Sequence, residues 1–271
     1  MDLLHTNIKK NINTVLTGNK IDISNVGFID PWSTVIMCLL SIERSKCPDR
    51  ELVLPVDLDI LHYLKRIHMD EFLKSIGYES QISALLDLKM PEYFNLNVCE
   101  LKHCEYRDEF TARLDYFLKM FENFGLNNDD ANRMTSLVGE LGNNVFDHNS
   151  GNWPLDTVGC IICGQNYPKQ KRIEIVIGDP GIGFYGSLIN AFPELKDDKE
   201  AIIKGLDGNT GRIGEKRGNG LKLIQEWTIN NFSGYVTIHS REGAVRVDKD
   251  GIKSDDTYKI VGTVAQIVIY Y

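Results

Sequence analysis

Glu140-Leu-Gly-Asn143-Asn144-Val-Phe-Asp147-His148 gathers two carboxylates, two amides and an imidazole in one short stretch. A carboxylate can hold or move a proton, an amide oxygen is a hard metal ligand, and an imidazole titrates near neutrality. An α-helix turns about 100° per residue. On that wheel Met134, Leu137, Val138, Leu141 and Val145 form one apolar arc, a core stripe. Arg133, Glu140, Asn143, Asn144, Asp147 and His148 occupy the opposite arc. Asn and Asp lower helix propensity because they compete for backbone hydrogen bonds, so helix stability does not account for them here.

Two further groups carry chemistry. Asp179-Pro-Gly181-Ile-Gly183 places a carboxylate beside paired glycines that let the main chain approach a ligand closely. Gly218-Asn219-Gly220-Leu221, preceded by Lys216-Arg217, puts glycines and positive charge at a helix start, where free N–H groups bind anions. Each group has a plain alternative, a solvated helix face, an Asp-Pro-Gly turn and a glycine-rich loop.

The elements that must position these groups follow from periodicity and punctuation. The first helix runs from Asn128, behind a turn and cap at Asn127-Asn128. Thr157 to Gly164 and Lys171 to Gly178 read as strands, the second ending at Asp179. Residues 186 to 217 are polar and punctuated by glycine, a long connection of the kind that is a functional lid or disordered. A helix then opens at Gly218, and strands at Gly234–His239, Ala244–Val247 and Val261–Tyr270 finish the chain, with a polar turn at Asp248–Gly251. Upstream, Val98–His103 is a strand and Asp108–Phe124 an amphipathic helix. Ile21–Ile29 reads as one or two strands, Asp30 and Pro31 as the N-cap and first residue of an apolar helix, Leu52–Leu54 as a strand and Leu58–Ile76 as a helical region stopped by Gly77. This is an α/β pattern. A boundary between residues 91 and 92, at Pro91-Glu92, gives domains 1–91 and 92–271.

Bulk properties narrow the function classes. The chain has 271 residues, 42% hydrophobic and 25% charged, as expected of a globular protein. A net charge of −8 argues against broad binding to nucleic acid or to anionic membranes. No apolar run is long enough for a membrane span, and the start lacks the order of a signal peptide, so a cytoplasmic protein is expected. Six cysteines fit reduced core thiols. Cys160-Ile-Ile-Cys163 has the spacing of a redox or zinc motif, but it lies in an apolar strand-like run without a matching second pair.

The three groups, in this order, resemble the GHKL superfamily of ATPases, which has the Bergerat α/β sandwich fold and includes gyrase-type ATPase subunits, heat-shock chaperones, mismatch-repair proteins and histidine kinases. Glu140–His148 matches its N-box, Asp179–Gly183 its first glycine box and Gly218–Gly220 its second; Gly262-Thr263 matches a later position. The resemblance covers roughly residues 100–271. It implies ATP and Mg²⁺ as ligands, with Asn144 on the metal and Asp179 accepting from the adenine amino group, Thr263 nearby. Gly181 and Gly183 would wrap the nucleotide, and Gly218, Asn219, Gly220 and Leu221 would open the phosphate-binding helix. Lys216 or Arg217 would add charge at the γ-phosphate, and Asn143, Asp147 and His148 would line the same face. Glu140 would orient the attacking water.

Residues 15–80 resemble the STAS domain of anti-sigma-factor antagonists, carried by Phe28-Ile29-Asp30 before an apolar helix. Pro31 and Trp32 stand where those antagonists carry a phosphorylatable Ser or Thr, and Ser33 lies further on, so this half reads as a docking platform. Together the resemblances imply an ATP-hydrolysing switch read by a protein partner through the STAS-like half or the lid, and they leave a homodimer open. Anti-sigma-factor serine kinases also carry Glu at the position of Glu140, so phosphoryl transfer to a protein and non-hydrolysing ATP sensing stay as alternatives. Neither a membrane nor a nucleic acid is an expected partner.

Overall fold

The strands at the centre of the chain are near-continuous apolar runs, as expected where both faces of a sheet are covered. In the computed structural model, which describes residues 1–90, 97–149, 152–211, 219–255 and 257–271, they form a mixed α/β protein around one large sheet. Its strands are β6 (Val98–Cys104), β7 (Cys160–Tyr167), β8 (Arg172–Asp179), β9 (Tyr235–Ser240), β10 (Gly243–Asp248), β11 (Gly251–Ser254) and β12 (Thr263–Tyr270). Among the described residues the order is β11-β10-β9-β12-β8-β7-β6, and every pairing is antiparallel.

One face of this sheet meets α6 (Arg107–Thr111), α7 (Leu114–Asn123), α8 (Asn128–Asn149), α9 (Gly183–Leu188), α10 (Asp198–Leu206) and α11 (Asn219–Phe232). Ile173, Ile175 and Ile177 of β8 and Ala265, Ile267 and Ile269 of β12 join the α8 stripe in a single apolar cluster. Met134, Leu137, Val138, Leu141 and Val145 are all buried, as the helical wheel predicts.

The opposite face is covered by the N-terminal third. This layer holds β1 (Asp2–Leu3), α1 (Ile8–Val15), β2 (Leu16–Thr17), β3 (Lys20–Asp22), β4 (Phe28–Ile29), α2 (Pro31–Arg44), β5 (Glu51–Val53), α3 (Leu58–Arg66), α4 (Met69–Ser75) and α5 (Ser83–Leu86). β1 pairs with β4, and β2, β3 and β5 make a small sheet. The central element is α2. Its N-cap is Asp30, whose Oδ1 accepts from the Ser33 N–H at 2.8 Å, and Pro31 needs no donor partner at the first position. Every residue from Pro31 to Ile42 is buried, as befits a helix apolar on all sides. It packs on β7, β8 and β12, so Val176, Val264, Ile161 and Cys163 share one apolar cluster with the N-terminal layer.

Apart from shifts at strand ends, the structure differs from the sequence reading in four places. The Leu58–Ile76 helical region breaks into α3 and α4 at His68, whose φ of 64° is left-handed. The Asp108–Phe124 helix is two, α6 and α7. The polar turn at Asp248–Gly251 leads into an unexpected strand, β11, exposed along its whole length. Residues 186 to 211 do not form one long loop; they include the end of α9 and all of α10. The 91/92 boundary lies outside the described residues. No helix among the described residues is long and apolar enough to cross a membrane.

Trp32 ties the N-terminal layer to the sheet. It is buried, its indole N–H donates to the Tyr258 hydroxyl at 2.8 Å, and His5 packs edge-on against it. Trp32→Ala is expected to cost about 3–5 kcal/mol, read as a lower urea midpoint with an unchanged m value.

Candidate functional site

α8 begins with the Asn127 side chain accepting from the Asp130 N–H at 2.9 Å, and its apolar stripe seats it on β7 and β8. The polar arc therefore looks sideways along the sheet, and Glu140, Asn143, Asn144, Asp147 and His148 are half-buried. Beside it lies a cavity whose space, open mouth included, is about 690 Å³. Ile177, Ile238 and Ala265 form its floor on the sheet, and Leu141 and Val145 line its α8 side. Phe184 and Leu188 of α9, Gly205 of α10 and Leu221 of α11 close it. Its polar groups are Asn144, His148, Asn149, Asp179, Ser187, Asn209 and Thr263.

Asp179 is the chemical centre of the deep end. It ends β8 and is only 5% exposed. Burial pushes its carboxyl up to about 7, against the opposing pull of two donors. The Gly181 N–H donates to Oδ1 at 2.8 Å, and the Asn149 amide donates to the same oxygen at 3.0 Å. Asn149 also donates to the Val145 carbonyl at 2.9 Å and accepts from the Ile182 N–H at 2.9 Å. The last residue of α8 thus fastens the helix to the carboxylate and to the turn that follows it. Gly181 is required by this closeness, since a Cβ there would lie 2.0 Å from Asn149 Oδ1.

Thr263 faces Asp179 across the β8–β12 pairing and Ser240 across the β12–β9 pairing. Its hydroxyl donates to Ser240 Oγ at 3.3 Å, and Ser240 Oγ accepts from the Phe184 N–H at 2.9 Å. Gly183 opens α9 with a positive φ of 75°. The sheet row Asp179–Thr263–Ser240 therefore fixes both the cavity floor and the start of α9.

At the other end of the arc, Glu140 and Asn144 meet the first turn of α11. A Cβ on Gly220 would lie 2.6 Å from Glu140 Oε2 and 4.0 Å from Asn144 Nδ2. Backbone N–H groups in a first helical turn lack intrahelical acceptors, so this end favours anions. Asn144 and Glu140 supply hard oxygen donors beside it. Side-chain oxygens of this type are the ones that hold a hard divalent cation.

The structure brings Asn144, His148, Asp179, Gly183, Leu221 and Thr263 to one cavity, with Gly181 in the turn behind it and Glu140 and Gly220 at its α11 end. Asn219 begins α11 and is exposed. Asn143 does not line the cavity, and Asp147 pairs with Arg107 of α6. Lys216, Arg217 and Gly218 lie outside the described residues. Comparison with known protein families, with curated proteins and with solved structures finds no match for this chain.

Asn149 is not among the residues singled out from the sequence. The helical wheel held the signal: Asn149 lies four residues after Val145 on the apolar arc, and an amide there must find a partner. The cysteine spacing resolves too. Cys160 and Cys163 point to opposite faces of β7 and belong to different apolar clusters, so they share neither a metal nor a disulfide. Among the described residues no group of three or more His, Cys, Asp and Glu side chains is placed to hold a metal.

The raised pKa of Asp179 sets a stability signature. Its folded value of about 7 lies above its usual 3.8, so its contribution is fully favourable below about pH 4 and is lost as pH rises through 7. Asp179→Asn keeps an acceptor oxygen and removes the buried charge. The variant is expected to be more stable than wild type at pH 8, by at most about 4 kcal/mol, with the gain shrinking at pH 5 and gone near pH 4. Urea unfolding at the three pH values measures it; a constant difference would contradict the assignment.

Proposed function

We propose that this protein binds ATP with Mg²⁺ in the cavity beside α8, hydrolyses it, and passes its nucleotide state to a protein partner. The observation that carries the reading is the buried Asp179 carboxylate, held by Gly181 and Asn149 on the same cavity as Asn144. The antiparallel sheet with α8 and α11 on one face supports a GHKL-type Bergerat fold for residues 92–271.

The roles follow from the chemistry of each position. The Asp179 oxygen left free by Gly181 and Asn149 accepts from the adenine amino group, and a donor arriving there favours the ionised carboxylate. The apolar floor of Ile177, Ile238 and Ala265 takes the ring face. Thr263, next in the sheet row, orders the ring edge through its hydroxyl. The phosphates run along α8 toward the first turn of α11, where Gly220 leaves room beside Glu140. Mg²⁺, when bound, neutralises phosphate oxygens, and Asn144 would hold it. Glu140 orients a water and takes its proton as general base. His148 lines the cavity one turn further along α8 and contributes to nucleotide contact. Residues 1–91, taken as STAS-like, offer the partner exposed apolar side chains at Phe28, Val56 and Leu58.

Titration calorimetry with Mg-ATP and a phosphate-release assay test this. Wild type is expected to bind and turn over ATP. Glu140→Ala should keep binding and lose about 10²–10⁴-fold in turnover. Asp179→Asn should abolish binding while remaining folded. Equal phosphate release by wild type and Glu140→Ala defeats the hydrolytic role, and labelled phosphate appearing on a partner protein would identify a kinase.

A further inference from the structure

The floor row Asp179–Thr263–Ser240 continues past Asp179 in the other direction. β7 pairs with β8 with Ile161 facing Gly178, so Cys160 is the next residue along, beside Asp179. β6 pairs with β7 with Cys104 directly opposite Cys160. Both cysteines face the helical layer and belong to its apolar cluster, and each thiol shifts the titration of the other. Among the described residues β6 is the edge strand of the sheet, and Cys104 is its last residue, followed by the exposed Glu105, Tyr106 and Arg107.

We propose that Cys104 and Cys160 form a redox-modification site, closing a cross-strand disulfide behind the cavity on reaction with a hydroperoxide. Opposed residues of an antiparallel pair lie about 4.5–5.5 Å apart at Cα, inside the roughly 4.4–6.8 Å range of disulfides. The two thiols also differ in the way the reaction needs. The Cys160 thiol lowers the Cys104 thiol below its usual range, while Cys104 and burial push Cys160 up. Cys104 is the attacking thiolate and Cys160 the resolving thiol. The Cys104 sulfur attacks the peroxide, the O–O bond breaks, and the alcohol leaves with a proton. The Cys160 sulfur then displaces water from the Cys104 sulfenic acid. Two thiols and one hydroperoxide become one disulfide, one alcohol and one water. Other buried thiols are poor competitors: burial pushes Cys38 and Cys163 far up and Cys99 up to about 12.

The position gives the bond a consequence. The chain between the two cysteines contains α6, α7 and α8, the entire helical wall that carries Glu140, Asn144 and Asn149. A disulfide fastens both ends of that segment at the strand next to Asp179. This part of the inference rests on the proposed ATP site: pinning the wall lowers the cost of ordering it, so oxidised protein binds ATP more tightly.

The test treats the full chain with a small excess of hydrogen peroxide and maps peptides without reduction. A linked Cys104–Cys160 peptide is expected, with a rise of at least about 5 °C in Tm that dithiothreitol reverses. Cys104→Ser and Cys160→Ser should each lose the linked peptide, and Cys47→Ser should keep it. If all six thiols of wild type remain free, or if the linkage joins other cysteines, the proposal is overturned; this readout needs no folded variant. ATP affinity is then measured on the reduced and oxidised forms. A gain of threefold or more is expected, and equal affinities overturn the coupling. Absence of ATP binding by reduced protein counts against the ATP site alone and leaves the disulfide result standing.

Discussion

A carboxylate at the end of a central strand, away from water, is costly unless donors meet it. The Asn149–Asp179 contact is how this chain meets that constraint, and much of the cavity follows from it. The amide must come from somewhere rigid, and it comes from the last turn of the long helix on the sheet. The turn after Asp179 must approach that amide, which demands glycine at 181. The turn then feeds α9, whose Phe184 N–H is met by Ser240 on the next strand but one. One buried charge thereby aligns a helix end, a strand end and a second helix start.

The N-terminal layer contributes to this arrangement from the other side of the sheet. Packing α2 across β7, β8 and β12 leaves the three central strands no exposed face, and close-packed interiors transmit position with little slack. Asp30 and Glu174 show the cost of sealing that face. Burial raises both carboxyls, Glu174 to about 7, and each is offset by local donors: backbone N–H groups of Ser33 and His5 for Asp30, the Gln266 amide for Glu174. The N-terminal layer and the cavity thus lie on opposite faces of one layer of strands.

Much of this was legible in the sequence where local and tertiary preferences agree. The α8 wheel sorted buried from half-buried residues correctly, because an amphipathic helix on a sheet has one interface. Asp30-Pro31 marked the start of α2 to the residue, since cap chemistry is local. The breaks at His68 and between α6 and α7 were not legible, because no Gly or Pro announces them and packing decides them. β11 escaped because four exposed residues carry no burial pattern, and the ladder that makes it a strand runs to β10. Asn149 escaped for the opposite reason: the partner that gives it a role is tertiary, a carboxylate on a strand 30 residues further on.

α8 also acts as a length standard. Two chemically distinct positions on it, Glu140 at the first turn of α11 and Asn149 at Asp179, are nine residues apart on one unbroken helix. At about 1.5 Å of rise per residue they are separated by roughly 13–14 Å along a rigid axis. Nine steps of about 100° also bring the two side chains to opposite sides of the axis, so one backbone element serves α11 with one side and the end of β8 with the other.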